Sequence, residues 1–231
     1  MNEQQTVSMI GKILAIFWEP SRTFKALKVN TDWLDVLIPL ILMMAVTLAA
    51  VPQITPIALQ EQKARIENSE RLSDEQKAAF LSRIEQSSLS ITQYVSIILV
   101  TVLKLILVAG VLHMIANFIF GGESRFIQLL ALSAYGQLVD VVSLAIKTPL
   151  IVLQNSTKIY TSPALFFTEE STFWYRFAAS LDIFGLWKVV LFGIGIGIFS
   201  KVRSRTAGLV VGVAWVLYAL TVAVLGGLYK V

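Results

Sequence analysis

The stretch YVSIILVTVLKLILVAGVLHMIANFIF, residues 94–120, runs for 27 residues with one full charge, at Lys104. A helix needs about 20 mostly apolar residues to cross the hydrocarbon core of a bilayer. This stretch therefore predicts a transmembrane helix. The whole chain agrees, because 56% of its 231 residues are hydrophobic and only 15% are charged. A soluble domain cannot bury that much apolar surface.

Four further segments have a similar character, so that the sequence predicts an all-α, polytopic membrane protein with five transmembrane helices. The predicted spans are residues 33–51, 94–120, 126–153, 183–200 and 207–228. Charges, prolines or glycines bound each of them. We interpret residues 1–231 as a single membrane domain, with residues 1–32 as a cytoplasmic interfacial segment and residues 52–93 as an extracytoplasmic helical insertion.

Basic residues near the span ends predict the orientation, because cytoplasmic loops are enriched in Lys and Arg. They cluster before the first span, in the second loop and in the fourth loop: Lys12, Arg22, Lys25, Lys28, Arg125, Lys201, Arg203 and Arg205. The N-terminus is therefore expected in the cytoplasm and the C-terminus outside. We assign the net charge of +4 to these flanks rather than to nucleic-acid binding.

The N-terminal segment is predicted to anchor the protein at the membrane surface. Apolar residues recur at intervals of three and four from Val7 to Trp18, which is typical of an amphipathic interfacial helix. Pro20 is expected to end this helix and Ser21 to cap the next. Phe17, Trp18, Pro20 and Phe24 form the expected anchor. Phe24 and Leu27 would face the membrane, while Arg22, Lys25 and Lys28 would face lipid phosphates.

The first loop, residues 52–93, is predicted to form two helices that break near residues 68–72. Ser73 and Gln76 have the spacing of a capping box for the second helix. Phe80, Leu81 and Ile84 form a narrow apolar stripe. We favour a hairpin that buries this stripe against itself, with a docking surface for an external partner as the alternative. The aromatic third loop, residues 154–181, is expected to lie on the outer surface of the bilayer.

Five ionisable residues within or beside the last four spans form a predicted intramembrane polar cluster: Lys104, Asp140, Lys147, Asp182 and Lys188. Such residues are costly in a membrane and mark candidate functional sites. Lys104 and Asp140 lie near the middle of their spans and are predicted to pair. Asp182 is close enough in depth to neutralise Lys147 or Lys188. We favour ion pairs that fix helix packing over the alternative, a proton or anion path.

Glycines spaced at four residues predict close packing of the last two spans. Gly193 and Gly197 have this spacing, as do Gly208 and Gly212, and small residues let transmembrane helices approach. A homo-oligomeric contact is the less favoured use of these glycines. Catalysis, metals and cofactors are not predicted, because the chain has no cysteine, a single histidine (His113, on one face with Asn117), and no hydrolase or phosphate-loop motif.

Four stretches in order along the chain resemble the Yip1-domain membrane proteins in their bacterial form. They are EPSRTFKAL at 19–27, GGESRFIQLLALSAYG at 121–136, LDIFGLWKVVLFGIGIG at 181–197 and SKVRSRTAGLVV at 200–211. Eukaryotic members bind Rab-type GTPases. This chain lacks their Asp-Leu-Tyr-Gly-Pro motif and long N-terminal region, so Rab binding is not expected.

The resemblance implies a non-enzymatic protein of the bacterial cytoplasmic membrane. Some bacterial members resemble accessory subunits that work beside ABC exporters. The expected partners are therefore membrane lipids and other membrane proteins, with ABC exporter subunits the first to test. The competing interpretation is a small transporter or channel that uses the Lys and Asp residues as its polar path.

Overall fold

The structure is a computed structural model that describes residues 8–69, 72–86, 91–169 and 172–228. Within these ranges the chain forms α-helices, one π-helical turn and one 3₁₀ turn, without a strand, which confirms the all-α class. Val7, the start of the predicted apolar stripe, lies outside these ranges. The helices are α1 Met9–Trp18, α2 Pro20–Val29, α3 Leu34–Glu67, α4 Asp74–Gln86, α5 Ile91–His113, α6 Phe126–Gln137, α7 Val139–Gln154, α8 Phe173–Ser180, α9 Ile183–Phe199 and α10 Ser204–Leu228.

Four helical segments are long and apolar enough to cross a membrane. They are Leu34–Glu67, Ile91–Ile119, Phe126–Gln154 and Ser204–Gly227. α9 has 17 residues and meets α8 at a bend of 52°, and this pair together also passes as a span. The described helices therefore allow four or five crossings, as in a multi-pass membrane protein.

Two short helices, α1 and α2, precede the first long helix. The hydroxyl of Ser8 caps α1, because it accepts a hydrogen bond from the backbone N–H of Gly11 at 3.1 Å. Pro20 occupies the first position of α2, where its missing N–H would have had no partner anyway. The prediction that Ser21 caps α2 is wrong. The helix begins at Pro20, and its cap position is Glu19, two residues before Ser21.

The inner face of α2 packs on protein rather than on lipid. Phe24 and Leu27 are fully buried, and the ammonium of Lys28 donates to the carbonyl of Ile198. The side chain of Gln128 in α6 donates to the carbonyl of Lys28 at 3.0 Å. The prediction that Phe24 and Leu27 face the membrane, and Lys28 the lipid phosphates, is therefore wrong, because α6 and α9 cover this face.

α3 is one helix of 34 residues. At 1.5 Å per residue it is about 51 Å long, against about 30 Å for the hydrocarbon core. The helix does not end with the predicted span at residue 51, because it continues through Pro52 and Pro56. Transmembrane helices tolerate proline when neighbours satisfy the freed carbonyls. Because α3 is longer than the core and its last turns carry Glu61, Lys63, Arg65 and Glu67, residues 55–67, which we call the arm, are expected to extend beyond the core.

α4 folds back along the arm, so the first limb of the predicted hairpin is the end of α3. The capping box is confirmed: Ser73 N donates to Gln76 Oε1 at 3.1 Å, and Gln76 N donates to Ser73 Oγ at 3.3 Å. Ile84 of the apolar stripe is buried and Phe80 and Leu81 are half-buried. Part of the predicted break, residues 70 and 71, lies outside the described residues.

The third predicted span consists of two helices, α6 and α7, separated at Leu138. α6 is the centre of the bundle, because every residue from Gln128 to Gln137 is buried. It packs against α5, α3 and α9. The separation at Leu138 leaves Asp140 in the first turn of α7, half-way along the Phe126–Gln154 segment.

The third loop carries a 3₁₀ turn at Pro163–Phe166, and its aromatic residues continue into α8. Phe166 and Trp174 are exposed, whereas Tyr160 and Tyr175 meet edge to face with their hydroxyls 3.0 Å apart. Aromatic side chains of this kind concentrate at membrane surfaces. A location of this loop on the bilayer surface stays a prediction.

Candidate functional site: the lysine and aspartate cluster

Asp140 lies between two lysines from different helices. Its Oδ2 accepts from Lys104 Nζ of α5 at 2.8 Å, and its Oδ1 accepts from Lys188 Nζ of α9 at 2.7 Å. The pair predicted between Lys104 and Asp140 is present. The second partner, Lys188, was not predicted, because the sequence alone does not tell which helices are neighbours. One carboxylate thus connects three helices.

Asp182 holds the second ion pair of the cluster. Its Oδ2 accepts from Lys147 Nζ at 2.7 Å and from the hydroxyl of Thr161. Its Oδ1 accepts from the backbone N–H groups of Phe184 at 2.8 Å and Gly185 at 3.3 Å, so that the same carboxylate caps α9. A carboxylate with this many donors is a structural element as much as a charge.

The cluster does not balance its charge. Three lysines face two aspartates, which leaves one excess positive charge. Lys104 is the accessible member, since half of its side chain is exposed, against 20% for Lys188 and 23% for Lys147. A lysine at the centre of a bilayer costs about 2.5–3.5 kcal/mol on insertion scales. The excess charge therefore needs a physical explanation.

A buried ion pair near the other end of the bundle was missed by the sequence interpretation. Lys12 Nζ of α1 donates to Asp35 Oδ1 of α3 at 2.6 Å, and the hydroxyl of Tyr135 donates to the same oxygen at 3.4 Å. The side chain of Asp35 is only 2% exposed. The sequence interpretation did not single out Asp35, because the sequence does not show that α1 and α6 pack over this end of α3.

The predicted glycines divide into two kinds. A Cβ on Gly193 would lie 2.6 Å from the Cα of Gly208, and one on Gly197 would lie 2.8 Å from Ser204 Oγ. The last two helices therefore meet backbone to backbone at these positions. A Cβ on Gly208 would be 4.0 Å from its nearest neighbour and one on Gly212 would be 3.8 Å away, which is ordinary contact.

Two further glycines in close contact were not predicted. A Cβ on Gly136 would come within 2.1 Å of the Phe192 ring, and one on Gly195 within 2.2 Å of the Leu132 side chain. Gly195 lies in the glycine-rich run at residues 193–197, but the sequence does not show that this run packs on α6. The close contacts therefore fasten α9 to both α6 and α10.

Of the predicted anchor residues, Trp18 fits the interfacial role best. It is 86% exposed and continues a line of exposed apolar residues, Ile10 and Leu14. Phe17 instead packs edge to face on Trp187, with ring centroids 5.8 Å apart. α1 therefore turns one apolar side toward the bundle and another away from it.

His113 lies beside Asn117, whose side chain closes a turn. The Asn117 side chain lies 3.2 Å from His113 Nδ1, and it exchanges two hydrogen bonds of 2.9 Å with the backbone of Ser124. Among the described residues, no group of three or more His, Asp or Glu could hold a metal ion. The lysine and aspartate cluster stays the candidate site.

Two adjoining open grooves follow the seam of α9 and α10. Their volumes are about 610 and 470 Å³, and they share Leu186, Trp215 and Val216. The lining is almost entirely apolar, and the first groove reaches Asp182 at one edge. Neither groove includes Lys104 or Asp140, so that the two grooves meet the cluster only at Asp182.

A clasp outside the hydrocarbon core joins the arm to the loop after α7. Glu61 accepts from Ser156 Oγ at 2.8 Å, from Thr157 N at 2.9 Å and from the Thr157 hydroxyl. Burial acts to raise the pKa of Glu61, but these hydrogen bonds, with the charge of Arg65, outweigh it and hold the pKa below its usual value. The clasp therefore favours an ionised carboxylate.

Together, the long apolar helices and the paired charges between them define a multi-pass helical membrane protein. The Yip1 domain matches residues 14–226, so the chain belongs to the Yip1 domain family. The family resemblance inferred from the four sequence stretches is confirmed. No curated protein and no solved structure matches the chain.

Proposed function

We propose that this chain is a non-enzymatic membrane protein that binds other membrane proteins as an accessory subunit. An ABC exporter is the partner class to test first. The observation that carries the proposal is the low burial of α5 and α10, since only 17% of the apolar window of each is buried. A helix held by one flank leaves its other flank to lipid or to a second protein.

The state of the ionisable residues supports this proposal over catalysis. Asp140 accepts from two lysines, and Asp182 accepts from Lys147, Thr161 and two backbone N–H groups. Carboxylates that are engaged in this way are poor general bases and poor proton carriers. Their evident role is to hold α5, α7 and α9 together.

A transporter or channel is the alternative, and the excess positive charge of the cluster favours it. An unbalanced lysine in a membrane is a frequent mark of an anion path. Against it, the two aspartates are engaged within the chain, and both grooves described above run along the outside of α9 and α10. Measuring ion flux from the purified protein in liposomes separates the two functions.

The proposed location is the bacterial cytoplasmic membrane, with the N-terminus inside. Exposed basic residues support it, because Arg22, Lys25, Lys201, Arg203 and Arg205 all lie on the side of the bundle where α1 and α2 pack. A topology reporter fused after Val231 is expected to read as external. A cytoplasmic signal from that fusion would overturn five crossings with the N-terminus inside.

Site-specific photocrosslinking in native membranes tests the function. A crosslinking side chain at Leu107, exposed on α5, is expected to capture an ABC exporter subunit. The same side chain at Leu132, fully buried in α6, is the matched control and should capture no other protein. Crosslinks to lipid alone at Leu107, together with ion flux from the purified protein in liposomes, would contradict the accessory function and support a transporter or channel.

A further inference from the structure

The position of Lys104 makes its charge hard to relieve within the chain. It is the fourteenth of the 29 residues in the Ile91–Ile119 segment, about 20 Å along the helix from either end at 1.5 Å per residue. A lysine side chain is too short to bring its ammonium to a membrane surface from there. Lys104 must therefore find its partners near the middle of the bilayer.

Asp140 satisfies Lys104 only in part. An ammonium has three N–H donors, and the described residues give Lys104 one hydrogen bond, to Asp140 Oδ2. The other carboxylate oxygen is occupied by Lys188 at 2.7 Å. Because Lys188 alone neutralises Asp140, Lys104 supplies the excess charge, and it has donors to spare.

The surface around Lys104 has the shape of a helix-packing face. Val100, Leu103, Leu107 and Val111 surround it at the spacing of one helical face, and all are exposed. No described side chain from Ile91 to Lys104 is buried. α5 packs mainly on α6, and the residues of α5 that are buried come after Lys104. An exposed lysine thus lies on an apolar surface that the described part of the chain leaves uncovered.

We infer that this face of α5 is the docking surface for a transmembrane helix of another protein that carries a carboxylate near the middle of its span. The inference rests on the proposed partner-binding function and names the chemistry of the partner. A carboxylate at that depth would accept from the free Lys104 donors and bring the cluster to three cations and three anions. Each helix would relieve the cost of the other's charge.

Two other occupants fit less well. A lipid phosphate lies at the headgroup level, about 15 Å from the bilayer centre, beyond the reach of Lys104. Within the described spans, a second copy offers no unbonded aspartate near this depth, because Asp35, Asp140 and Asp182 are already bonded within their own chain. The partner is therefore a different protein with an acidic residue in an apolar helix.

The test uses the full chain in liposomes and a synthetic transmembrane helix of leucine and alanine with one central Glu. The native chain has no cysteine, so the single change Ser82→Cys on α4 accepts a donor dye without further changes. The peptide carries the acceptor, and an identical peptide with Gln replaces the carboxylate by a neutral amide. Energy transfer, titrated against the peptide-to-lipid ratio, reports association.

The Glu peptide is expected to associate about tenfold more tightly than the Gln peptide, which corresponds to about 1.4 kcal/mol. Lys104→Leu should abolish this preference, and Lys104→Arg should keep it. Lys25→Leu removes the same charge from exposed α2 and should leave the preference unchanged. Lys104→Leu is expected to fold, because Lys188 still pairs with Asp140. Monodisperse elution checks that each variant is folded.

Equal binding of the two peptides to the unaltered protein would overturn the inference, as would a preference that survives Lys104→Leu. Energy transfer between two differently labelled copies, lost in Lys104→Leu, would assign the surface to self-association instead. The outcome is separable from the proposed function. A subunit crosslinked at Leu107 without a Glu preference refutes only the inferred carboxylate of the partner, whereas a Glu preference without any native partner refutes the accessory role.

Discussion

Lys12 Nζ lies 2.6 Å from Asp35 Oδ1, so that an ion pair with almost no solvent contact ties the N-terminal helix α1 to α3. The segment that the sequence describes as a surface anchor is thereby part of the bundle. Thr23 joins α2 to α1 in turn, because its hydroxyl donates to the carbonyl of Lys12 at 3.1 Å. α1 and α2 are consequently expected to fold with the transmembrane helices rather than after them.

Removing Lys12 should destabilise the protein strongly. Lys12→Ala leaves the Asp35 carboxylate buried without its cation, and breaking a buried pair costs about 3–5 kcal/mol. Thermal unfolding in detergent, followed by size-exclusion elution, measures the loss. Adding Asp35→Asn should recover part of it. The control is Arg22→Ala, which breaks an exposed pair with Glu19 and should cost at most about 1 kcal/mol. Equal losses in both single variants would contradict the role of the buried pair.

The glycines of the last two helices should respond unequally to alanine. Gly193→Ala puts a methyl group against the backbone of Gly208, which cannot move without separating α9 from α10, so a loss of about 1–3 kcal/mol is expected. Gly212→Ala is the control, because its methyl group would meet Val189 at ordinary contact distance. The same thermal assay distinguishes them. A stable Gly193→Ala variant would show that the helices are not held at this distance.

The protein should tolerate the loss of either lysine that pairs with Asp140, Lys104 or Lys188, but not the loss of both. Lys104→Leu and Lys188→Leu each leave one pair intact, so membrane yield should fall little. The double variant leaves a carboxylate unpaired within the span, at a cost of about 2.5–3.5 kcal/mol, and yield should collapse. Adding Asp140→Leu to the double variant should restore it. A collapse in Lys104→Leu alone would mean that Lys188 does not neutralise Asp140.

The clasp at Glu61 should open in acid. Its carboxyl group has a lowered pKa in the folded chain, so its stabilising contribution is complete above the usual Glu value of about 4.3 and is lost as pH falls through the folded pKa. Spin labels on the arm and on the loop after α7 should move apart in that acid range. Glu61→Gln should give the same distance distribution at every pH. An acid-induced separation that persists in Glu61→Gln would assign the effect to another group.

Hydrophobic runs and capping chemistry predicted much of the helix content. The capping box of Ser73 and Gln76 was recognisable because it needs only local spacing. The pairing of Lys104 with Asp140 was also accessible, since both residues lie near the middle of antiparallel spans. Local and depth-based arguments of this kind do not depend on knowing which helices pack together.

The errors have a common physical origin. An apolar stripe identifies a face that avoids water, but in a membrane both lipid and protein satisfy that face, and Phe24 proved to be covered by protein. Pro52 looked like a boundary because proline usually ends helices in water, whereas α3 passes through it. Lys188, Gly136 and Gly195 depend on the arrangement of α6, α7 and α9, which no single-helix pattern contains.

The course of α3 through Pro52 and Pro56 has a mechanical consequence. Both residues lack an N–H, so the helix loses two hydrogen bonds within five residues and is expected to be least stiff there. This stretch is the expected pivot of the arm. While Ser156 and Thr157 hold Glu61, the arm is fastened to the loop after α7. Opening this clasp is expected to leave the arm free to bend at the two prolines.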